Sequence, residues 1–404
     1  MKKLFLLLVI LLVCGLQLFC SLPSYAQQAD LGAAAAAKAA AGRQARSLGA
    51  SVASAHVGPA GTFTTFDAPG AALVPFSGTA PTSINPAGTI TGSYIDASSL
   101  GHGFLRARDG TFTSFDPAGS IFTQPAAINP AAVITGYYED ANFVAHGFLR
   151  GGDGTFTTFD AQGAINGTIP SSINPEGAIT GYYYDTNVVA HGFLRAKDGN
   201  LTTFDDPDSG TGTTIFPGTM SGAISPEGGI AGTYTDASGV NHGFLRAGDG
   251  TFTTFDPPGQ IDPFLFFAFP APLVVSRNPA GVITGAYFQP ISGNPFGGNF
   301  QVFVRARDGT FTTFDAATYS PCCIWSFASG INPSGTITGY FNDGFNRNHG
   351  FVRNGDGTVI TFDAPGAGTG FNQGTVPLGI DPAGVIIGYY TDNSNVHHGF
   401  LRMP

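Results

Sequence analysis

Ser83 to Asp116 reads SINPAGTITGSYIDASSLGHGFLRARDGTFTSFD, and close copies of this stretch fill the chain from residue 57 onward. Its terminal Phe-Asp recurs with the carboxylate at Asp67, Asp116, Asp160, Asp205, Asp256, Asp315 and Asp363. Its HGFLR-like segment starts at His102, His146, His191, His242, Gln301, His349 and His398, so the unit of about 45 residues is present seven times. A period of that length marks a repeat architecture and is read before any local motif.

Alternating apolar residues and turn chemistry divide each unit into four short strands. In the second copy, strand A is expected at about Pro125 to Asn129, B at Val133 to Glu139, C at His146 to Arg150 and D at Thr155 to Phe159. Asn-Pro-x-Gly after strand A is a tight turn in which Pro presets φ and Gly supplies a positive one. Asp-Gly between C and D, as in Asp153-Gly154, signals a two-residue hairpin. That turn sets Gly103 opposite Asp116, Phe104 opposite Phe115 and Arg106 opposite Thr113, with His102 beside the carboxylate.

A lone four-stranded meander cannot bury two apolar faces, whereas blades stacked around an axis can. The copies begin with an isolated D strand, Thr62 to Asp67, and end with A, B and C strands finishing at Arg402. The first strand can complete the last blade and remove a free edge. The expected fold is therefore all-β, a seven-bladed β-propeller of four-stranded antiparallel blades spanning residues 57–404. A linear β-solenoid would gain nothing from the split last repeat.

Lys2 and Lys3 precede an apolar run from Leu4 to about Phe19, and Ser24-Tyr25-Ala26 before Gln27 has the small residues a signal peptidase accepts. Residues 1–26 are expected to be a leader directing secretion or periplasmic export in a bacterium, with no stable membrane insertion. Residues 27–56 are Ala-rich and lack large apolar side chains, which suits a disordered linker. Without Lys2 and Lys3 the formal charge of −10 becomes −12. An acidic surface repels phosphate backbones and sets nucleic acid aside.

The combination of G-x-I-T-G-Y-Y-x-D, H-G-F-L-R and D-G-T-F-T-T-F-D after such a leader resembles the bacterial extracellular repeat proteins of the HAF family. The likeness covers about residues 57 to 402 and departs at Ser276-Arg277 and Gln301-Val302, both in the fifth copy. It implies an exported repeat protein and brings no catalytic residues with it.

Insertions fall in only two places. The distance from the start of strand C to the Phe-Asp carboxylate is constant at 14 residues, while the B-to-C and D-to-A connections vary. In a meander those two connections share one end of the strands, the usual place for recognition on a rigid scaffold. The loops of the fifth and sixth copies are rich in apolar side chains, and Phe264, Phe266, Phe267, Phe296, Phe300, Tyr319 and Trp325 are the candidate ligand-binding residues. Exposed, they form a patch for a carbohydrate, a protein or an envelope component; folded inward, they pack on one another. Cys322 and Cys323 are a candidate vicinal disulfide.

Of 24 Asp residues, 20 occupy repeated positions, leaving Asp30, Asp206, Asp208 and Asp262, and six of eight His occupy one repeated position. Residues present in nearly every copy belong to construction more readily than to one-site chemistry. No catalytic residue, cofactor or metal ligand is assigned, although Asp205, Asp206 and Asp208 are clustered hard oxygens of the kind Ca²⁺ takes. The leading reading is a monomeric, non-catalytic binding or scaffolding propeller. A lyase or hydrolase remains the alternative, and it requires non-template groups such as Asp206, Asp208, Asp262, Arg277 and Arg347 to converge.

Overall fold

The computed structural model describes residues 61–211, 217–260, 273–291, 294–316 and 325–404. These hold twenty-eight strands and no helix, so the described part is all-β. In the second repeat the strands are Phe122–Ile128, Ile134–Glu139, Ala145–Arg150 and Phe156–Phe159, each antiparallel to the next. Strand A starts three residues earlier than expected, because Phe122 pairs with Glu139 at the far end of strand B.

All seven A strands share one irregularity. Their register against B shifts by a residue at Pro81/Ser83, Pro125/Ala127, Pro170/Ser172, Ser221/Ala223, Val274/Ser276, Ala328/Gly330 and Pro377/Gly379. Proline cannot donate to a ladder, and a bulge is where a sheet tolerates it.

The C–D register differs from the expected one. Gly103 pairs with Phe115, Phe104 with Ser114 and Arg106 with Phe112, one position away on strand D. The turn is longer than Asp-Gly alone. Gly110 N–H donates to the Ala107 carbonyl at 2.9 Å, Ala107 N–H donates to Thr111 at 2.8 Å, and Gly110 has φ 93°. The Asp109 carboxylate accepts the Thr111 N–H at 2.9 Å. This is a three-residue loop with a left-handed glycine, favoured like the two-residue turn but closing one residue further on. His102 thereby comes to lie directly across from Asp116.

Strand D is held to the following repeat by two recurring contacts. Phe66, Phe115, Phe159, Phe204, Phe255, Phe314 and Phe362 each lie edge-on to the strand C phenylalanine of the next repeat, with centroids 5.8–6.5 Å apart. Those partners, Phe104 to Phe400, are fully buried, worth about 1.5–3 kcal/mol each. The arginine ending each strand C stands over the same strand D ring at 4.7–5.0 Å. Glycine precedes the strand C phenylalanine in six repeats, where a methyl group, as at Gly103, would collide with the Phe115 ring; in the fifth repeat Val302 takes this place.

The A strands form their own chain of contacts. Asn85 Nδ2 donates to the Asn129 carbonyl at 3.2 Å, Asn129 to Asn174 and Asn174 to Ser225, both at 3.3 Å. Asn278 donates to Asn332 at 3.2 Å and Asn332 to Asp381 at 3.4 Å. Ser225 and Asp381 carry no amide to pass on. Each asparagine also caps its own A–B turn through Oδ1, as Asn85 does toward Thr89 N–H at 3.0 Å.

The two ends of the described chain meet. Phe63–Phe66 pairs antiparallel with His397–Arg402, from Phe63 opposite Arg402 to Phe66 opposite Gly399. Gly78 bridges His397 in parallel, the contact that Phe122 makes with Gly101 and Gly374 with Asn348.

A candidate binding face at the loop end of the strands

Asp, His and an aromatic residue from three strands form a cluster at the loop end of six repeats. His102 Nδ1 meets Asp116, and its counterparts meet Asp160, Asp205, Asp256, Asp363 and Asp67, at 2.7–3.0 Å. Nε2 faces a second carboxylate from the B–C connection at 3.3–3.8 Å. The imidazole lies against a strand B ring, Tyr94, Tyr138, Tyr183, Tyr234, Phe341 or Tyr390, at 5.0–5.2 Å. The cluster sits within one repeat, and Thr123 Oγ1, donating to Asp116 at 2.6 Å, ties it to the next.

The electrostatics follow from this sandwich. For His349 the hydrogen bond its ring N–H donates to Asp363 outweighs burial and raises the pKa; for His102 burial lowers it, but Asp116 and Asp96 outweigh that and the net shift is upward. In the fifth repeat Gln301 stands in for histidine, donating to Asp315 at 2.8 Å and accepting from the Tyr287 hydroxyl at 2.7 Å. An amide offers no positive charge, and burial pushes the Asp315 pKa up. Glu139, at the loop end of strand B, is pushed to about 7 by burial and by Asp140. Six copies of one geometry serve to fasten the B–C connection to strand D; such polar groups need partners when half-buried.

The described non-template polar groups Asp206, Arg277 and Arg347 sit in different repeats. Asp206 is buried, accepts the Asp208 N–H at 3.1 Å and is raised in pKa first by burial. Arg277 is half-buried where other repeats have isoleucine, and its pKa is lowered by burial. Arg347 pairs with Asp343 at 3.0 Å and stands over Phe345 at 4.9 Å. Asp262 lies outside the described residues. Asp205 is turned to His191, so the Asp205, Asp206 and Asp208 carboxylates do not share one centre. Among the described residues no group of three His, Cys, Asp or Glu is arranged to hold a metal ion.

The exposed apolar side chains are gathered at the same end. Nine large ones are exposed among the described residues, and all except Met403 lie in B–C or D–A connections: Leu73, Val74, Phe76, Leu100, Phe143, Ile165, Phe345 and Phe371. Five of these ride on loops tied in series. Asn372 N–H donates to the Asn346 carbonyl at 2.8 Å, Gln373 Nε2 to Asn395 at 3.0 Å, and Phe76 N–H to the Asn395 carbonyl at 2.8 Å. Phe76 and Phe143 hold positive φ, 65° and 61°, a conformation a bulky side chain enters at a cost. At the position of Phe143 the fourth repeat has Gly239 and the sixth and seventh have Asn346 and Asn395, residues suited to it.

Charge divides in the same way. The described B–C and D–A connections carry fifteen Asp and one cation, Arg347. The other eleven Lys and Arg of the described residues sit at the turn end, on C–D turns or as the last residue of strands A and C, among nine carboxylates. Sequence reading alone passes over these loops, because a single phenylalanine in a five-residue connection carries no periodic signal. The emptiness of the connections in Lys and Arg was a readable signal.

Of the residues singled out as ligand-binding, Phe300 is 2% exposed and packs on Phe288 and Phe327 at 5.4 and 5.2 Å, with Trp325 edge-on at 6.0 Å. Trp325 is partly buried at the start of its strand. Phe264, Phe266, Phe267, Tyr319, Cys322 and Cys323 lie outside the described residues, as does the side chain of Phe296 in Asn294–Arg305.

No family model matches the chain. No curated protein matches it either. Among solved structures it is similar to TolB from Acinetobacter baumannii, at 17% identity and a TM-score of 0.43 over 70% of this chain and 62% of TolB. It is similar to the fungal lectin of Aleuria aurantia, a six-bladed β-propeller with a fucose recognition mode, at 13% identity and a TM-score of 0.36 over 70% and 92%. It is also similar to the acylaminoacyl peptidase of Pyrococcus horikoshii, at 10% identity and a TM-score of 0.46 over 78% of this chain and 49% of the peptidase. The chain thus spans less than two thirds of TolB and about half of the peptidase. Among the described residues no helix is long and apolar enough to cross a membrane.

Proposed function

We propose that residues 57–404 form a seven-bladed β-propeller of four-stranded blades, closed by Phe63–Phe66, and that it is an exported, non-catalytic binding module of the HAF type working through its loop end. The succession of strand C and strand D phenylalanine contacts, which passes through all seven repeats and returns to its start, supports the architecture. The observation that carries the function is that, among the described residues, eight of nine exposed large apolar side chains lie in the connections at one end. Monomeric proteins seldom leave such side chains grouped without a partner.

The lyase or hydrolase reading needs an acid, base or nucleophile gathered from non-template residues. Of those described, Asp206 accepts the Asp208 N–H and Arg347 pairs with Asp343, while Arg277 ends a strand A at the turn end, which favours binding.

The test is a screen of the purified mature protein against glycans, peptides and envelope components, repeated with Phe76→Ser/Phe345→Ser/Phe371→Ser. A ligand retained by the wild type and lost by the variant, at an unchanged melting temperature, is the expected result. Undiminished binding by the variant removes the loop end as the site.

A further inference from the structure

The loop end combines two properties that constrain what covers it. Phe345, Phe371, Phe76, Leu73 and Val74 stand out on loops joined in series, between 56% and 73% exposed. The charged side chains around them are mostly carboxylates: fifteen Asp in the described connections against one Lys or Arg, and the sequence of the internal segments outside the described residues, 212–216, 261–272, 292–293 and 317–324, adds no Lys or Arg. Twelve of these aspartates are already turned to the six histidines, which hold them in fixed positions.

A field of one sign over half-buried carboxylates attracts and orients an opposite charge and repels its own. A second copy presenting this end to itself would set carboxylates against carboxylates. Phosphate backbones and anionic lipid surfaces are repelled likewise. A neutral ligand would satisfy the apolar side chains and leave the field unused. The one cation at this end shows what the rings accept, because the Arg347 guanidinium stands over Phe345 at 4.9 Å while its Nε reaches Asp343 at 3.0 Å. Spread over three loops, the exposed side chains require a partner with apolar groups at several points and cations between them.

We propose that the loop end docks a cationic polypeptide segment in which Lys or Arg alternates with apolar side chains. The proposal rests on the reading of this end as the binding face and names the partner. Phe345 and Phe371 are its apolar anchors, with the Asp343 and Asp363 carboxylates beside them to receive the cations.

Short synthetic peptides test it directly: one alternating Lys with Phe and Leu, a second with Glu for Lys, a third with Ser for the apolar residues. Binding to the mature protein is measured by calorimetry at low salt and at about 0.5 M salt, where the Debye length is about 4 Å. The first peptide should bind, the Glu peptide should not, and the Ser peptide should bind about tenfold more weakly. Salt should weaken the first peptide at least tenfold, and Phe345→Ser/Phe371→Ser should do the same without moving the melting temperature. If that variant is destabilised, Leu73→Ser/Val74→Ser supplies the comparison.

Binding of the Glu peptide, insensitivity to salt or failure of every peptide overturns the cationic partner. If a neutral glycan then binds and the phenylalanine variant loses it, the loop end survives as a binding face with a different ligand. If nothing bound at all is affected by that variant, both readings fall.

Discussion

The two ends of the strands are built on opposite rules. At the turn end the connections have constant length, and every C strand delivers an arginine onto the preceding repeat's phenylalanine. Positions there are fixed by contacts that recur seven times, so a change in one is felt as lost packing. At the loop end the Asp–His–Asp fastening recurs with constant spacing in six repeats, but the residues between its anchors differ in charge and exposure and the D–A connections differ in length. The repeated contacts carry the stability of the scaffold, and the freedom to vary has been moved to where nothing has to fit a neighbouring repeat.

The largest test of that division removes one set of repeated contacts. Deleting residues 57–68 takes away the pairing of Phe63–Phe66 with His397–Arg402, the Phe66 ring under Arg106 and against Phe104, and the Asp67 partner of His398. The Phe63 and Phe66 rings are partly buried, so each is worth somewhat less than the ~3–5 kcal/mol of a fully buried aromatic, and an unpaired strand edge is added to that. Chemical denaturation should show loss of the cooperative transition or a midpoint far below the wild type. A truncated chain with the full-length transition would mean that the seam does not bind the last repeat to the first.

His397 breaks the division, since it is a loop-end residue that is largely buried. It touches Tyr389 at 4.9 Å and Thr391 Oγ1 at 3.0 Å, and its N–H donates to Ser77 across the closing seam at 2.9 Å. Burial, then the neighbouring His398, lowers its pKa from 6.5 to about 4. The unfolded chain therefore takes up this proton before the folded one does. The stability this neutral imidazole supports is complete above about pH 6.5 and falls as pH drops toward 4, by about 2 kcal/mol at pH 5. His102 and His349, raised in the fold, act in the opposite direction and are strongest below pH 6.5. His397→Asn isolates the effect, because the fourth repeat already holds Asn241 against Thr235 at 2.7 Å in the same place. Its unfolding free energy should exceed the wild type's at pH 5 by about 2 kcal/mol more than at pH 7, and parallel profiles would show that His397 is not what acid attacks.

How much of this could be read beforehand follows from the same division. Seven copies, four strands in each and the completion of the last copy by the first strand lie in the recurrence of Phe-Asp and HGFLR. The C–D register did not, because Asp-Gly serves both a two-residue and a three-residue loop and only the hydrogen bond from Gly110 to Ala107 separates them. Density of aromatic residues drew attention to the fifth repeat, where Phe300 is buried. Exposure is decided by what neighbouring loops cover, so Phe345 and Phe143 could not be told from core phenylalanines by type alone.

The smallest expected effect is the most discriminating between a loop position kept for its chemistry and one left to drift. Phe143 is 51% exposed, so it gains little from burial, and it holds φ at 61°, which a bulky side chain resists. The Phe143 N–H donates to the Asp140 carbonyl at 2.9 Å, and the Asp140 carboxylate accepts the Asn142 and Val144 N–H groups at 2.8 and 3.0 Å, backbone contacts that fasten the loop whatever the side chain at 143 is. Asparagine occupies the corresponding place in the sixth and seventh repeats at φ 58° and 62°, where Asn346 and Asn395 also accept hydrogen bonds from neighbouring loops. Phe143→Asn should therefore raise stability by about 1 kcal/mol, the scale of strain in a left-handed residue, measured as a higher denaturation midpoint at an unchanged slope. If the variant is stabilised and its ligand affinity falls, the phenylalanine is retained against its own strain for recognition. If stability drops, Phe143 is held by packing, and the exposed apolar array at the loop end loses one of its members.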